Sequence, residues 1–169
     1  MLTQERLKEL LSYDPESGEF RWLATVNNRA QKGSIAGCID LHSGYRRTSI
    51  SKSIYRCHRL AWLYMYGVWP QGDIDHIDGN RSNNCLVNLR EATPSQNKFN
   101  TDKNCNNTTG FKGVSYRRSN GKFTAYTESF GKAIYLGSYT TAELASAAYN
   151  EFAKTHHGEF YRPIKEIKC

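Results

Sequence analysis

The chain has 169 residues, with 23 Lys and Arg against 16 Asp and Glu, for a formal charge of +7. That length suits one ordinary domain or two small ones, and 38% hydrophobic residues permit only a modest core. No apolar run approaches the roughly 18 residues of a membrane span, which excludes an integral helical membrane protein. The first residues, Met1 to Arg6, lack a basic stretch followed by an apolar one, so no secretory signal is expected. The five cysteines are odd in number and widely spaced. A disulfide framework and a structural zinc site are therefore not expected, and a cytoplasmic protein with reduced thiols is. The basic balance points to a polyanionic partner.

The first element is a short helix, with Thr3 as cap and Leu7, Leu10 and Leu11 on one stripe. Residues 14–18 read as a turn and 19–22 as a strand. Residues 44–50 and 53–57 flank a tight turn at Ser51-Lys52 and predict a hairpin. His58 to Tyr66 predicts a mostly buried helix stopped by Gly67. Leu86 and Leu89 suit a short strand, Thr93 caps a helix and Pro94 opens it. The polar, Asn-rich segment 101–110 reads as a linker. It divides the charge into 13 basic and 10 acidic residues before Thr101, and 10 and 6 from there on. Beyond it come strands at 111–117, 122–129 and 133–136, then a helix with Thr140 and Glu143 as a capping box. Ala145, Ala148, Tyr149 and Phe152 form its apolar stripe, and Gly158 ends it. The expected fold is α+β: residues 1–100 as one domain, 101–110 as linker, 111–163 as a second domain and 164–169 as a tail.

The chemistry concentrates between Ile74 and Asn97. There Asp75-His76 ends a strand, a Gly/Asn-rich loop follows, Asn88-Leu89 returns, and a helix carries Asn97. This ordered set resembles the HNH nuclease family, whose site is a ββα unit holding one divalent metal. Gly18 to Trp22 and His58 to Trp62 extend the resemblance, which spans roughly residues 13–100. It implies His76 as general base, its ordinary pKa lying near neutrality. It implies Asp75 and Asn97 as oxygen ligands of Mg²⁺ or Mn²⁺, with Asn88 orienting the loop and hence the base. The metal would stabilise charge on the scissile phosphate and the leaving oxygen. Asn97 stands where the family's last His would be and still offers an oxygen. The paired zinc-binding cysteines of another HNH branch are absent, so no structural zinc is expected. Asp78 and Asn80 read as turn formers and Cys85 as packing. His58 reads as a structural residue, and Arg59 as either a strap or a phosphate contact.

The second region carries Phe111-Lys112-Gly113-Val114, Gly121 to Ala125, Tyr135 to Tyr139, Thr141 to Ala145 and Ala148-Tyr149. It resembles the Apetala-type (ethylene-response-factor) DNA-binding domain, in which a three-stranded sheet backed by one helix enters the major groove. Alternation puts Val114, Phe123, Ala125, Ile134 and Leu136 toward the helix. The opposite face then holds Ser115, Arg117, Lys122, Thr124, Tyr126, Glu128, Ala133 and Tyr135. Lys112, Ser115, Arg117, Lys122, Thr124, Tyr126 and Tyr135 are the candidate DNA contacts here. Arg46, Arg47 and Arg59 are the candidates in the first domain, with Lys52 and Arg56 on the same basic hairpin.

Together these features predict a site-specific, homing-type HNH endonuclease acting on double-stranded DNA as a monomer, with a dimer left open. The competing reading is a non-catalytic DNA-binding regulator with a vestigial HNH unit. A packaging protein is the third, but it would need no Arg-bearing sheet.

Overall fold

The computed structural model describes residues 1–101, 103, 106–129 and 131–162. Part of the expected linker (Asp102, Asn104 and Cys105), the end of the second domain at Pro163 and the tail lie outside them. The chain forms two compact units, Met1–Ala92 and Thr93–Cys169. Among the described residues no helix is long and apolar enough to cross a membrane.

In the first unit, α1 (Gln4–Leu10) begins where Thr3 Oγ1 accepts a hydrogen bond from the Arg6 backbone N–H. Leu11, expected in this helix, instead opens strand β1 (Leu11–Asp14), which pairs antiparallel with β2 (Glu19–Trp22). Leu11 has no exposed surface in either role, so the apolar stripe of the sequence is satisfied by a strand start as well as by a helix end. A short β3 (Cys38–Ile39) joins β4 (Arg46–Ile50) and β5 (Ser53–Arg56) in an antiparallel sheet. Helix α2 (Cys57–Tyr66) follows at once and stops at Gly67, whose φ of 77° is the left-handed cap conformation. Next come β6 (Asp73–His76), a single 3₁₀ turn at Leu86–Asn88, and β7 (Leu89–Ala92), which pairs antiparallel with β6. The core packs Leu7, Leu11, Phe20, Leu60 and Leu63 together with Ile74 of β6 and Leu89 of β7. The strand that carries Asp75 and His76 is thereby anchored in the main hydrophobic cluster.

The second unit starts with α3 (Pro94–Asn100), whose Thr93 and Gln96 form a complete capping box with Pro94 in the first turn. The helix bearing Asn97 thus belongs to the second unit. Strands β8 (Val114–Arg117), β9 (Lys122–Ser129) and β10 (Lys132–Tyr139) form an antiparallel sheet in the order β10-β9-β8. The first strand is shorter than predicted because Phe111 to Gly113 form a turn; the third runs on to Tyr139. Helix α4 (Ala142–His156) is capped by Thr141, one residue after the expected Thr140. Val114, Ala125 and Ala145 form its small core, with Phe111, Phe123, Leu136 and Tyr139 packed around them.

The β4–β5 turn is strained in a defined way. Ser51 and Lys52 have φ of 50° and 68°, which are mirror-type hairpin angles that favour Asn-Gly. A left-handed non-glycine residue costs about 1–2 kcal/mol. Lys52→Gly is therefore expected to stabilise the protein by about 0.5–1 kcal/mol in urea unfolding. A lower midpoint would contradict this origin of the turn geometry.

Candidate active site

The β6–β7 ladder ends at the His76–Leu89 pair. Beyond it, residues 77–88 have no strand partner, so side-chain amides take over. Asn88 does most: its Oδ1 accepts from the Asp78 backbone N–H at 2.9 Å, and its Nδ2 donates to Asp78 Oδ1 at 3.0 Å and to the Asn83 carbonyl at 2.8 Å. Asp78 also accepts from the Asn80 N–H and the Asn83 amide. Burial raises the Asp78 pKa, but hydrogen bonds from Asn83, Asn80 and Asn88 outweigh it and hold the carboxyl below its ordinary range.

The β1–β2 hairpin clamps the same loop from outside. Tyr13 Oη donates to the Asn84 carbonyl at 2.7 Å, and the Leu86 N–H to the Pro15 carbonyl at 2.9 Å. The Cys85 thiol donates to the Glu16 carbonyl, so Cys85 is a loop fastener beyond simple packing. Gly18 has φ 72°, and a Cβ there would stand 2.3 Å from the Asn84 carbonyl carbon. No other residue fits, which gives a physical reason for the Gly-Glu-Phe-Arg-Trp run.

This scaffold orients His76. The residue is 4% exposed, and its Nε2 lies 3.2 Å from Asn84 Oδ1. The Asn84 amide nitrogen donates to the Ser82 carbonyl, which turns Oδ1 toward the imidazole. An amide oxygen only accepts, so Nε2 carries the proton and Nδ1 holds the lone pair. Burial pulls the His76 pKa down; the Asn84 hydrogen bond, Asp78 and Asp75 oppose it without reversing it. Asn84, 1% exposed, was not singled out in the sequence, although it sits within the Asn-rich loop.

Asp75 lies opposite Arg90 in the ladder. Its Oδ2 accepts from both Nε and Nη2 of Arg90 at 2.8 Å, with both side chains largely buried. Arg90 was also missed. The hairpin register would have revealed it, because Asp75 and Arg90 are cross-strand partners once His76 pairs with Leu89. Asp75, His76 and Asn88 therefore come together in the first unit, while half-buried Asn97 is carried by α3 of the second. Among the described residues no three His, Cys, Asp or Glu side chains gather as a metal cluster. The Asp75 carboxylate is the kind of hard oxygen donor that Mg²⁺ takes, and that ion keeps several waters and needs few protein ligands.

Several candidate DNA contacts have other partners. Arg59 donates from Nη1 to the Gly72 carbonyl and from Nη2 to the Pro70 carbonyl, strapping the segment that leads into β6. This is the strap role that one of its two sequence readings describes. Lys112 Nζ donates to the carbonyls of Lys98, Phe99 and Thr101, closing the C-terminal end of α3, so its ammonium serves a helix rather than a sheet face. Thr124 is only 3% exposed, in the central strand between Ser115 and Ser138, and so offers no surface contact. Arg46 donates to the Gly37 carbonyl, and exposed Arg47 lies 3.8 Å from Asp40. Arg117, Lys122, Tyr126 and Tyr135 are exposed and Ser115 is half-buried. The register Arg117–Lys122, Ser115–Thr124 and Tyr126–Tyr135 puts them on the face opposite Val114 and Ala125.

A strand pair ending in Asp-His, a tethered Asn-rich loop and a following helix are the elements of a ββα region. The HNH endonuclease family model matches residues 55–98. The chain is 34% identical over 108 residues to Protein 3.8 of Escherichia phage T7, covering 63% of this chain and 88% of that protein. It is 38% identical over 92 residues to the uncharacterized HNH endonuclease L560 of Acanthamoeba polyphaga mimivirus, covering 54% of this chain and 46% of that one. The chain belongs to the HNH endonuclease family. No solved structure matches it.

His58 lies edge-on to His76, with ring centroids 5.0 Å apart. Burial, with smaller contributions from His76, Arg56 and Arg59, pulls its pKa down to about 3. The unfolded chain takes up this proton near pH 6.5 and the folded chain does not until about pH 3. Stability is thus full above pH 6.5 and falls as pH drops below it. Urea midpoints measured from pH 7 to pH 4 are expected to decline with acid, and His58→Gln to remove about one proton from that linkage. An unchanged slope in the variant would contradict it.

Proposed function

We propose that the chain is a site-specific, homing-type DNA endonuclease that hydrolyses phosphodiester bonds with one divalent metal and His76 as general base. The observation that carries this reading is the held imidazole: Asn84 on Nε2, in a loop tied by Asn88, beside the Asp75 strand position. His76 Nδ1 takes the proton of the attacking water, and its lowered pKa keeps it neutral and able to do so at neutral pH. Asp75, oriented by Arg90, and Asn97 would hold Mg²⁺ or Mn²⁺. The metal, when bound, neutralises charge on the phosphate and the leaving 3′ oxygen. Functionally the nuclease region runs to about residue 100, including α3, and a linker at 101–110 leads to a region of Apetala type at 111–163.

In that second region the exposed face bearing Ser115, Arg117, Lys122, Tyr126 and Tyr135 meets double-stranded DNA. The exposed Arg47 of the β4–β5 sheet, and Arg46 beside it, add backbone contacts that position without reading sequence. The protein acts as a monomer in the cytoplasm. Linking a binding module to a nuclease raises the effective concentration of cleavage site and catalyst.

Incubation of plasmid with protein and Mg²⁺ is expected to give nicked or cut DNA at preferred sites, with chelation of the metal abolishing it. His76→Ala should bind DNA and leave it intact. Binding without cleavage by the native chain would instead favour the regulator reading. Asn84→Leu is expected to lower the cleavage rate about tenfold to hundredfold, as loss of groups that orient a reacting side chain does. It should also move the imidazole ¹⁵N resonances of His76 toward a mixed tautomer; an unchanged tautomer would remove Asn84 from the mechanism.

A further inference from the structure

Beside His76 stands a group that the proposed chemistry leaves unused. Half-buried Tyr45 lies with its ring 5.8 Å from that of His76 and 4.9 Å from that of His58. Two guanidinium groups rest against the same ring: the Arg56 carbon is 4.8 Å from its centroid and the Arg81 carbon 5.1 Å. The post itself is fixed. The Asp40 N–H donates to the Tyr45 carbonyl, Gly44 N–H to the Asp40 carbonyl, and Ser43 Oγ to Asp40 Oδ2. Arg81 is tied in as well, donating from Nη1 to the Ser43 carbonyl at 3.0 Å.

Charge is what makes the group informative. Arg56 and Arg81 are both exposed, and among the described residues neither forms an ion pair with a carboxylate. The acids nearest in sequence to His76 are engaged elsewhere, Asp75 by Arg90 and Asp78 by the loop amides. Two like charges on one ring repel, and the ring face compensates only part of that cost. An anion between or above them removes it. The planar fork of arginine matches phosphate, and a guanidinium already held on an aromatic face loses less freedom when it binds.

We propose that Tyr45, Arg56 and Arg81 form a phosphate clamp beside His76, gripping the backbone of the strand to be cut and presenting its phosphodiester to the imidazole. Strand scission rests on the nuclease reading; the gripping of DNA backbone stands without it. Tyr45 is a positioning residue and the two arginines are the contacts.

The test uses the full chain and a 30-base-pair duplex of mixed sequence, with chelator present so that nothing is cleaved. Affinity is measured across a salt series. Arg56→Ala and Arg81→Ala should each weaken binding about fivefold to tenfold and lower the salt slope by about 0.9, the signature of one lost phosphate contact. Arg29→Ala, equal in charge change but in a different loop, should leave the slope unchanged. Tyr45→Leu, which removes no charge, should still weaken binding about threefold by freeing both guanidiniums. Circular dichroism checks each fold, and Gln replaces Ala at either arginine if the Ala variant does not fold. With Mg²⁺ and plasmid, the arginine variants should lower kcat/KM by at least the fivefold to tenfold lost in binding. Slopes equal to the native value, or losses no greater than for Arg29→Ala, would overturn the clamp. Native protein that binds with the clamp-dependent slope yet never cuts would overturn the nuclease reading and uphold the clamp.

Discussion

Everything at the candidate site depends on how residues 77–88 are held without a strand partner. Backbone N–H and C=O groups that leave a ladder must still find partners. Here local backbone turns share the task with short side-chain amides and carboxylates: Ile77 and Gly79 donate to the carbonyls of Asn88 and His76, Asn88 spans the loop with three side-chain hydrogen bonds, and Asp78 accepts from three donors. This explains why the segment is so rich in Asn and Asp, residues that bond to nearby backbone and tolerate turns. It also fixes the setting of His76, which is buried with Nε2 on Asn84. A buried imidazole at the root of such a loop inherits its position from every bond above it.

The β1–β2 hairpin extends that constraint to the far end of the unit. Tyr13, Pro15, Glu16 and Gly18 all meet the loop at Asn84 to Leu86, and Asn84 is the residue that holds His76 Nε2. Hydrophobic packing and site geometry are therefore coupled. Tyr13 stacks on Phe20 within the core at 4.6 Å between centroids while its hydroxyl secures the loop. Three contacts, Phe20 to Tyr13, Tyr13 to Asn84 and Asn84 to His76, connect the core to the imidazole. Around His76 the same unit gathers His58, Tyr45, Arg56 and Arg81, a cationic and aromatic surround with its acids already committed.

Much of this was legible in the order of residues. Thr93-Pro94 with Gln96 is a cap that needs no tertiary context, and it appears as a full capping box. Lys122 to Ser129 is a strand by composition and by structure, and Ser51-Lys52 is a tight turn in both. Where local signals were ambiguous the boundaries moved. Leu11 suits a helix stripe or a strand start, and Thr140 and Thr141 are both acceptable caps; tertiary packing chose Leu11 for β1 and Thr141 for α4. Side-chain roles were harder. Lys112 and Arg59 have the chemistry of phosphate contacts, but carbonyl groups at a helix end and in a loop bound them first.

The sequence by itself determined the chemical set: the Asp75-His76 pair, the Asn-rich loop and Asn88, because these depend on residue type and spacing along one chain. The family match falls on the same stretch of chain, residues 55–98. Only the tertiary structure decided which partners those residues take. Asn84 on His76 and Arg90 on Asp75 pair residues within one hairpin and its loop, while Gly18 against Asn84 and the two arginines on Tyr45 bring in other segments. Cross-strand register and burial create such pairs. Neither is written in the local pattern, because each depends on where the rest of the chain folds back.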